Sequence, residues 1–322
     1  MAASRPAKTG KRDNARPSAG KVLRQARAPR AVKAKISTRR AAARVIVEHR
    51  PSIGEIQGLR NTDDPLDLKS SVALVIDQDT DQILFSKNPD AVLPIASITK
   101  LMTAMVVTAS SQDLDEPLTV TADDIDTRKG SRSRLSVGTR LSRGEMLHLA
   151  LMSSENRAAN ALGRHYPGGL PAFVAAMNET ARRLGMSDTH YVEPTGLSSM
   201  NRSSARDLSL LVKAAYQQPL IRELSTTPEA EFAVGRKAQQ FRNTNGLVRN
   251  PEWDIGLQKT GYISEAGRCL VMQAELAGRK LIMVLLDSAG KYSRIGDAER
   301  LRHWLLGESP AATGAGAAHR GG

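Results

Sequence analysis

Ser97 and Lys100 are the first pair in this sequence whose types and spacing suggest chemistry. They open a run whose apolar residues recur at helical spacing. On a helix, side chains three positions apart are neighbours, so the lysine amine would lie beside the serine hydroxyl. A serine becomes a strong nucleophile when a base takes its proton, and lysine serves if burial or a nearby cation lowers its pKa. The same spacing also fits a helix-capping serine beside a solvated lysine.

Two further patterns also carry residue types that could do chemistry. Ser154-Glu155-Asn156 falls in the break between two helical patterns, where serine and asparagine are also ordinary helix caps. Lys259-Thr260-Gly261 lies within a predicted strand, where the lysine could equally protect an exposed edge from aggregation. A glycine there suits a strand that a ligand backbone approaches closely.

Each pattern also recurs elsewhere in the chain, so position must separate signal from chance. Serine and lysine are spaced by three again at Ser18–Lys21 and at Ser288–Lys291, and Lys-Thr-Gly recurs at Lys8–Gly10. Two of these copies lie in a basic N-terminal segment with no predicted fold, and Ser288–Lys291 falls in a turn around Gly290. Serine and asparagine are spaced by two again at Ser86–Asn88 and Ser199–Asn201. Of the serine–lysine copies, only Ser97–Lys100 opens an apolar helical pattern.

In this order, the three patterns resemble the motif set of the serine penicillin-recognising enzymes. The surrounding runs are similar to the D-alanyl-D-alanine endopeptidase branch of the low-molecular-mass penicillin-binding proteins, a serine D,D-peptidase family. The resemblance covers about residues 68–306 and rests on LPIASITKLMTAMVV, LALMSSENRAANALGRHYPGG, EPTGLS, FRNTNGLV, KTGY and AGRCLVM. Glu155 is a mild departure, because the family pattern has aspartate at that position.

The resemblance implies three catalytic residues. Ser97 would attack the carbonyl of a D-alanyl bond and form an acyl-enzyme, with Lys100 as the general base. Ser154 would relay a proton towards the leaving amine. The implied substrates are the peptide cross-links of peptidoglycan, and β-lactams would be covalent inhibitors. No metal or cofactor is implied.

The resemblance also implies five substrate-binding residues. Asn156 would hold the substrate amide, while Lys259 and Thr260 would bind the substrate carboxylate next to Gly261. The oxyanion hole would consist of the backbone N–H groups of Ser97 and Tyr262.

Strand patterns at both ends of the chain enclose a helical middle, which predicts an α+β fold. We expect an antiparallel sheet built from both termini with a helical subdomain, which the resemblance makes a serine β-lactamase/D,D-peptidase-like fold. The predicted strands are Ser71–Asp77, Gln82–Ser86, Ile255–Ile263, Cys269–Leu276 and Leu281–Asp287, and the clearest helices are Glu145–Met152, Asn156–His165, Leu170–Leu184, Ala205–Tyr216 and Arg294–Leu306.

The positive charge of the chain is concentrated at its start. Of the 46 Lys and Arg residues, sixteen lie in residues 1–61, together with three of the 33 acidic residues and no aromatic residue. Such a composition predicts a disordered basic tail over residues 1–61, a peptidase domain over 62–308 and a flexible end over 309–322. The tail could dock on an anionic polymer or membrane surface, or act as a solubilising spacer. We expect no nucleic-acid partner.

Several other functions remain open at this level. A D,D-carboxypeptidase would use the same motifs, and a class A-like β-lactamase is suggested by Glu193-Pro194, although we interpret Glu193 as part of the loop structure. An anion- or nucleic-acid-binding protein on a degenerate enzyme fold would account for the tail. Ser-His-Asp hydrolases and zinc peptidases are disfavoured, because the sequence has neither G-x-S-x-G nor H-E-x-x-H.

The cellular location follows from the expected function. The printed sequence shows no apolar signal region near its start and no apolar run of membrane-spanning length. Cross-linked peptidoglycan lies outside the cytoplasm, so we expect a periplasmic enzyme.

Overall fold

A computed structural model describes residues 50–307, which contain eight helices and eleven strands. The helices are α1 (Ile53–Ile56), α2 (Thr99–Ala109), α3 (Arg143–Met152), α4 (Asn156–Arg164), α5 (Gly169–Arg183), α6 (Ala205–Tyr216), α7 (Pro219–Thr226) and α8 (Ser293–Leu305). The strands are β1 (Ser70–Asp77), β2 (Ile83–Lys87), β3 (Leu93–Pro94), β4 (Pro117–Thr119), β5 (Arg140–Ser142), β6 (Arg202–Ser203), β7 (Glu229–Val234), β8 (Lys237–Arg242), β9 (Asp254–Ile263), β10 (Gly267–Leu276) and β11 (Arg279–Ser288).

The central sheet joins the two ends of the described chain. Its five strands run in the order β2-β1-β11-β10-β9, and every neighbouring pair is antiparallel. Alternate residues of a strand point to opposite faces, and both faces are covered here. Val72 and Leu74 pack towards the helical middle of the chain, whereas Ala73 and Val75 pack on the side of α8. The predicted α+β fold, with a sheet built from both termini, is confirmed.

Helix α2 lies at the centre of the helical subdomain and carries the catalytic candidates at its start. Most of its residues are buried, and it contacts α3, α4, α5 and α6. Helix α3 begins with a capping box, in which the Ser142 side chain accepts the Glu145 N–H and the Glu145 carboxylate accepts the Ser142 N–H. The capping box fixes the start of α3, and Ser154 follows the last residue of the helix, Met152, by two positions.

Residues 50–61 correct the predicted tail boundary. Helix α1 and a 3₁₀ turn at Leu59–Asn61 form there, and Ser52 and Gly54 are buried. The prediction of disorder is wrong for this stretch, because its small residues pack closely against Asp287 rather than burying aromatic side chains. The rest of the predicted tail, and the flexible end predicted for 309–322, lie outside the described residues.

Several elements were not predicted from the sequence: helices α1 and α7, the short strands β3 to β6 and the β7–β8 hairpin. Helix α7 is short and polar, and the β7–β8 hairpin buries little beyond Phe232 and Phe241. A periodic apolar face is the signal for an element, and a largely exposed hairpin lacks one. Within residues 50–307, no helix is long and apolar enough to cross a bilayer.

Candidate active site

Ser97 lies in a 3₁₀ turn, Ala96–Ile98, that immediately precedes α2. Ala96 has a φ of +47°, in the left-handed region that costs a non-glycine residue about 1–2 kcal/mol. Two glycines allow the chain to pack against this turn. A Cβ at Gly196 would lie 1.9 Å from the Ala96 carbonyl oxygen, and one at Gly261 would lie 3.0 Å from the Ser97 nitrogen. The turn is therefore held from two sides.

Lys100 is completely buried, and its amine contacts three groups. Nζ lies 2.9 Å from Ser97 Oγ and donates to Asn156 Oδ1 at 2.7 Å and to the Thr195 carbonyl at 2.6 Å. Burial lowers the pKa of Lys100 to about 7, against the opposing effect of Glu193 and Glu155. A neutral amine has two N–H groups and one lone pair. With both N–H groups taken by oxygen acceptors, the lone pair is left for the Ser97 hydroxyl.

Ser154 and Lys259 form a second pair on the other side of the site. Ser154 lies in the turn between α3 and α4 with a φ of +62°. Lys259 is fully buried on β9 and donates to Ser154 Oγ at 2.9 Å. Burial, followed by the nearby Lys100 and Arg294 cations, lowers the pKa of Lys259 well below its usual range. The alternative of an exposed, protective edge lysine is therefore wrong, although β9 is an edge strand.

Asn156 is engaged at both ends of its amide. Besides accepting from Lys100, it donates from Nδ2 to Ser131 Oγ at 3.0 Å. Ser131 belongs to the long connection between β4 and β5, which no sequence motif marked. Glu155, the residue that departs from the family pattern, is buried and accepts from Ser133 at 2.6 Å and from Arg134 at 3.2 Å. Glu155 therefore also holds the connection between β4 and β5.

The remaining candidates lie along β9. Thr260 is nearly buried, and its hydroxyl is 2.6 Å from that of Thr244. The carbonyl of Gly261 accepts from Arg294 at 3.2 Å. Tyr262 is exposed at the rim, with the guanidinium of Arg268 4.4 Å from its ring centre. The sequence analysis assigned no role to Thr244, although it lies in the FRNTNGLV run that helped to carry the resemblance.

The Glu193 carboxylate accepts hydrogen bonds from the loop in which Glu193 lies. One carboxylate oxygen accepts from the N–H and hydroxyl of Thr195 at 2.6 and 2.5 Å, and the other accepts from the Gly196 N–H at 2.7 Å. The Ser198 N–H, at 3.2 Å, and the Asn201 amide, at 3.0 Å, also donate to the second oxygen. These contacts confirm the interpretation of Glu193 as loop structure.

A cleft of about 450 Å³ opens beside Asn156 and Thr195. Its walls combine the acidic residues of the segment 123–126 with the apolar side chains of Leu170 and Val174. Neither Ser97 nor any residue of β9 is among its lining residues, so the cleft adjoins the candidate site at Asn156 and Thr195.

Comparison with known proteins gives the family. The sequence model of the D-alanyl-D-alanine carboxypeptidase family matches residues 59–290, which is most of the chain. The chain therefore belongs to the D-alanyl-D-alanine carboxypeptidase family of serine peptidases, and it is a hydrolase of the serine D,D-peptidase type.

Two relatives share about half of their residues with this chain. The D-alanyl-D-alanine endopeptidase of Pseudomonas aeruginosa is 51% identical over 79% of this chain and 83% of its own length. The D-alanyl-D-alanine endopeptidase of Escherichia coli K12 is 48% identical over 74% of this chain and 78% of its own length. More distant relatives are named carboxypeptidases, such as one from Mycobacterium tuberculosis at 31% identity over 66% of this chain and 73% of its own length.

Solved structures show the same fold. The Streptomyces K15 DD-transpeptidase aligns with a TM-score of 0.69 and 26% identity over 76% of this chain and all of its own. A D-alanyl-D-alanine carboxypeptidase from Mycobacterium tuberculosis aligns with a TM-score of 0.68 and 28% identity, covering 78% of this chain and 95% of its own. The serine D,D-peptidase-like fold predicted from the sequence is confirmed.

Proposed function

We propose that this enzyme is a D,D-endopeptidase that hydrolyses the D-alanyl cross-links of peptidoglycan through an acyl-enzyme on Ser97. The observation that carries the proposal is the buried Lys100 amine, 2.9 Å from Ser97 Oγ with a pKa of about 7. A base with a pKa near the working pH is both available and strong enough to take the serine proton.

Acylation begins when Ser97 Oγ attacks the carbonyl carbon of the D-alanyl bond and gives its proton to Lys100. The Oγ–C bond forms, and the negative charge on the carbonyl oxygen is held by the backbone N–H groups of Ser97 and Tyr262. The C–N bond then breaks as the Ser154 hydroxyl gives its proton to the leaving nitrogen, and the proton held by Lys100 restores that hydroxyl. Overall, the proton removed from Ser97 is returned to the product amine.

Substrate binding uses the two walls of the site. A substrate amide carbonyl takes the Asn156 N–H groups that now donate to Ser131. The substrate carboxylate approaches Lys259 and Thr260, and its charge raises the pKa of Lys259 again, so the lysine binds it as an ammonium. Water finally attacks the acyl carbon, Ser97 Oγ regains a proton, and a carboxylate product leaves.

The choice of endopeptidase rests on the relatives and on the room at the site. Endopeptidase and carboxypeptidase share the acyl step and differ in the leaving group, which is a peptide-borne amine in one and free D-alanine in the other. The two relatives near 50% identity are both named endopeptidases. The cleft beside Asn156 supports a substrate that extends beyond the reacting residues.

A competition assay tests this choice. Cross-linked dimeric muropeptides and monomeric pentapeptides at equal concentration are digested and analysed by mass spectrometry. We expect dimers to become monomers much faster than D-alanine is released. The Ser97→Ala variant should do neither and should not be labelled by a fluorescent penicillin, while remaining folded. Dominant release of D-alanine would replace the endopeptidase with a carboxypeptidase.

We also propose a periplasmic location and a docking role for the basic N-terminal segment. Both proposals follow from the substrate, because peptidoglycan lies outside the cytoplasm and the cell wall carries anionic polymers. The excess of basic residues before residue 50 supports electrostatic attraction to such a surface.

A further inference from the structure

An ion pair joins two segments that are far apart in the sequence and lie on opposite sides of the candidate site. Lys129, in the connection between β4 and β5, donates to the carboxylate of Glu265, in the turn between β9 and β10. The residues are 136 positions apart, and their side chains are 29% and 34% exposed. Burial tends to raise the pKa of Glu265, but hydrogen bonding and the Lys129 charge lower it overall, so the carboxylate is ionised at neutral pH.

The Lys129 end of this pair is fixed to the Asn156 wall. The Asp126 carboxylate accepts the backbone N–H groups of Arg128, Lys129 and Ser131 at 2.7 to 2.9 Å, which sets the shape of the segment. Ser131 in turn accepts from Asn156 Nδ2. The segment therefore moves with the Asn156 wall unless these bonds break.

The Glu265 end is fixed to the β9 wall. Glu265 follows the last residue of β9, Ile263, by two positions, and β9 carries Lys259. The Glu265 carbonyl accepts the Ile53 N–H at 2.9 Å, so the ordered N-terminal segment braces the turn.

Ser97 lies between these walls. On one side, Lys100 connects the nucleophile to Asn156. On the other, β9 passes so close that a Cβ at Gly261 would touch the Ser97 nitrogen. A bond from Lys129 to Glu265 therefore closes a ring of contacts that runs through Asn156, Lys100, Ser97 and β9.

Building on the proposed function, we propose that the Lys129–Glu265 pair is a specificity-determining strap that must open for a cross-link within the intact wall. A peptide bridge attached to glycan at both ends has no free end to thread through a closed ring, so it must enter from the side. A small penicillin fits without opening the ring. Exposed ion pairs are weak, so the strap can open at each turnover.

Removing the strap should raise activity on intact walls alone. With Lys129→Ala or Glu265→Gln, we expect digestion of purified sacculi to speed up about two- to fivefold, the factor that corresponds to a partly exposed ion pair. Acylation by a small penicillin should not change. Exchanging the charges, with Lys129→Glu and Glu265→Lys together, should restore the slower rate. Lys213→Ala is the matched control, because it breaks an ion pair of similar lysine exposure with Asp81, outside the two walls.

Locking the strap is the sharper test. The double variant Lys129→Cys/Glu265→Cys can be bridged with a reducible bis-thiosulfonate linker, since Cys269 is buried and burial raises its pKa to about 12. We expect the locked enzyme to lose digestion of sacculi, to keep acylation by penicillin, and to recover after reduction. Equal digestion by locked and reduced enzyme would overturn the strap. Failure of the parent enzyme to cleave soluble dimers would instead overturn the proposed function.

Discussion

Two buried lysines determine the chemistry that the site can perform. Lys100 and Lys259 are both completely buried, and each has a lowered pKa because burial disfavours the ammonium form. Their partners differ. Lys100 gives its N–H groups to oxygen acceptors and faces Ser97, whereas Lys259 lies on β9 and donates to Ser154. One lysine therefore suits a base, and the other suits an anion-binding group.

The pH dependence of acylation tests the role of Lys100. In the proposed mechanism, Ser97 is activated only when Lys100 is neutral, and the neutral fraction grows as the pH rises through the pKa of about 7. We expect the acylation rate with a small penicillin to fall about tenfold per pH unit below that pKa and to level off above it. Stopped-flow measurement of acylation across the pH range gives the profile.

Lys100→Arg is the check on this profile. A guanidinium stays protonated at any usable pH, so the variant should acylate about 10²–10⁴ times more slowly. A thermal melt must show that it remains folded. If the variant keeps the parent rate, or if the parent profile is flat well below neutral pH, Lys100 is only structural.

At the scale of elements, strand β9 packs against the turn that carries Ser97 and leaves no room for an additional side-chain atom. Gly261 faces the turn so closely that an added Cβ would lie 3.0 Å from Ala96 Cβ, from the Ile95 carbonyl and from the Ser97 nitrogen. Gly246, which follows β8 and precedes β9, has nothing within 4 Å of the same position. The two glycines form a matched pair for testing the contact.

Gly261→Ala should displace β9 from Ser97. Overpacking of this kind costs about 1–3 kcal/mol, and the displacement also moves Lys259 and the Tyr262 N–H relative to Ser97. We expect a lower melting temperature and slower acylation by penicillin. Gly246→Ala should leave both close to the parent values. Normal acylation by Gly261→Ala would mean that β9 can shift without disturbing the site.

At the scale of the whole molecule, the first part of the chain is strongly basic and carries none of the candidate site residues. Residues 1–49 hold fourteen Lys and Arg residues and two acidic residues, whereas the described residues carry every candidate of the site. Within the described residues, helix α1 and the turn that follows it form before the predicted domain boundary. Ile53 braces the turn at Glu265, and Arg60 lies 3.8 Å from the buried carboxylate of Asp287.

Two truncations separate these contributions. Removing residues 1–49 should leave the melting temperature and penicillin acylation unchanged, while binding to an anionic polymer weakens, most clearly at low salt. Removing residues 1–61 should in addition lower the melting temperature, because it strips packed residues such as Ser52 and Gly54 from the domain. Equal stability of the two truncated proteins would show that the 50–61 segment contributes nothing to the fold.

The sequence by itself was sufficient for local structure and for the list of candidate residues. Helix α6 has the predicted bounds, and the strands near the C-terminus lie within a few residues of their predicted positions. The contact between Ser97 and Lys100 was also predictable, since both lie within about one helical turn. The fold class followed because strands at both ends of a chain must pair to bury their apolar faces.

Only the tertiary structure could decide the contacts between distant segments. Asn156 is 56 positions from Lys100, and Ser154 is 105 positions from Lys259, so no local pattern specifies either bond. The same is true of Thr244 beside Thr260 and of the Lys129–Glu265 pair. Burial also belongs to this level: a lysine on an edge strand reads as solvated until neighbouring elements enclose it. The pKa values that make the two lysines chemically different arise from that enclosure.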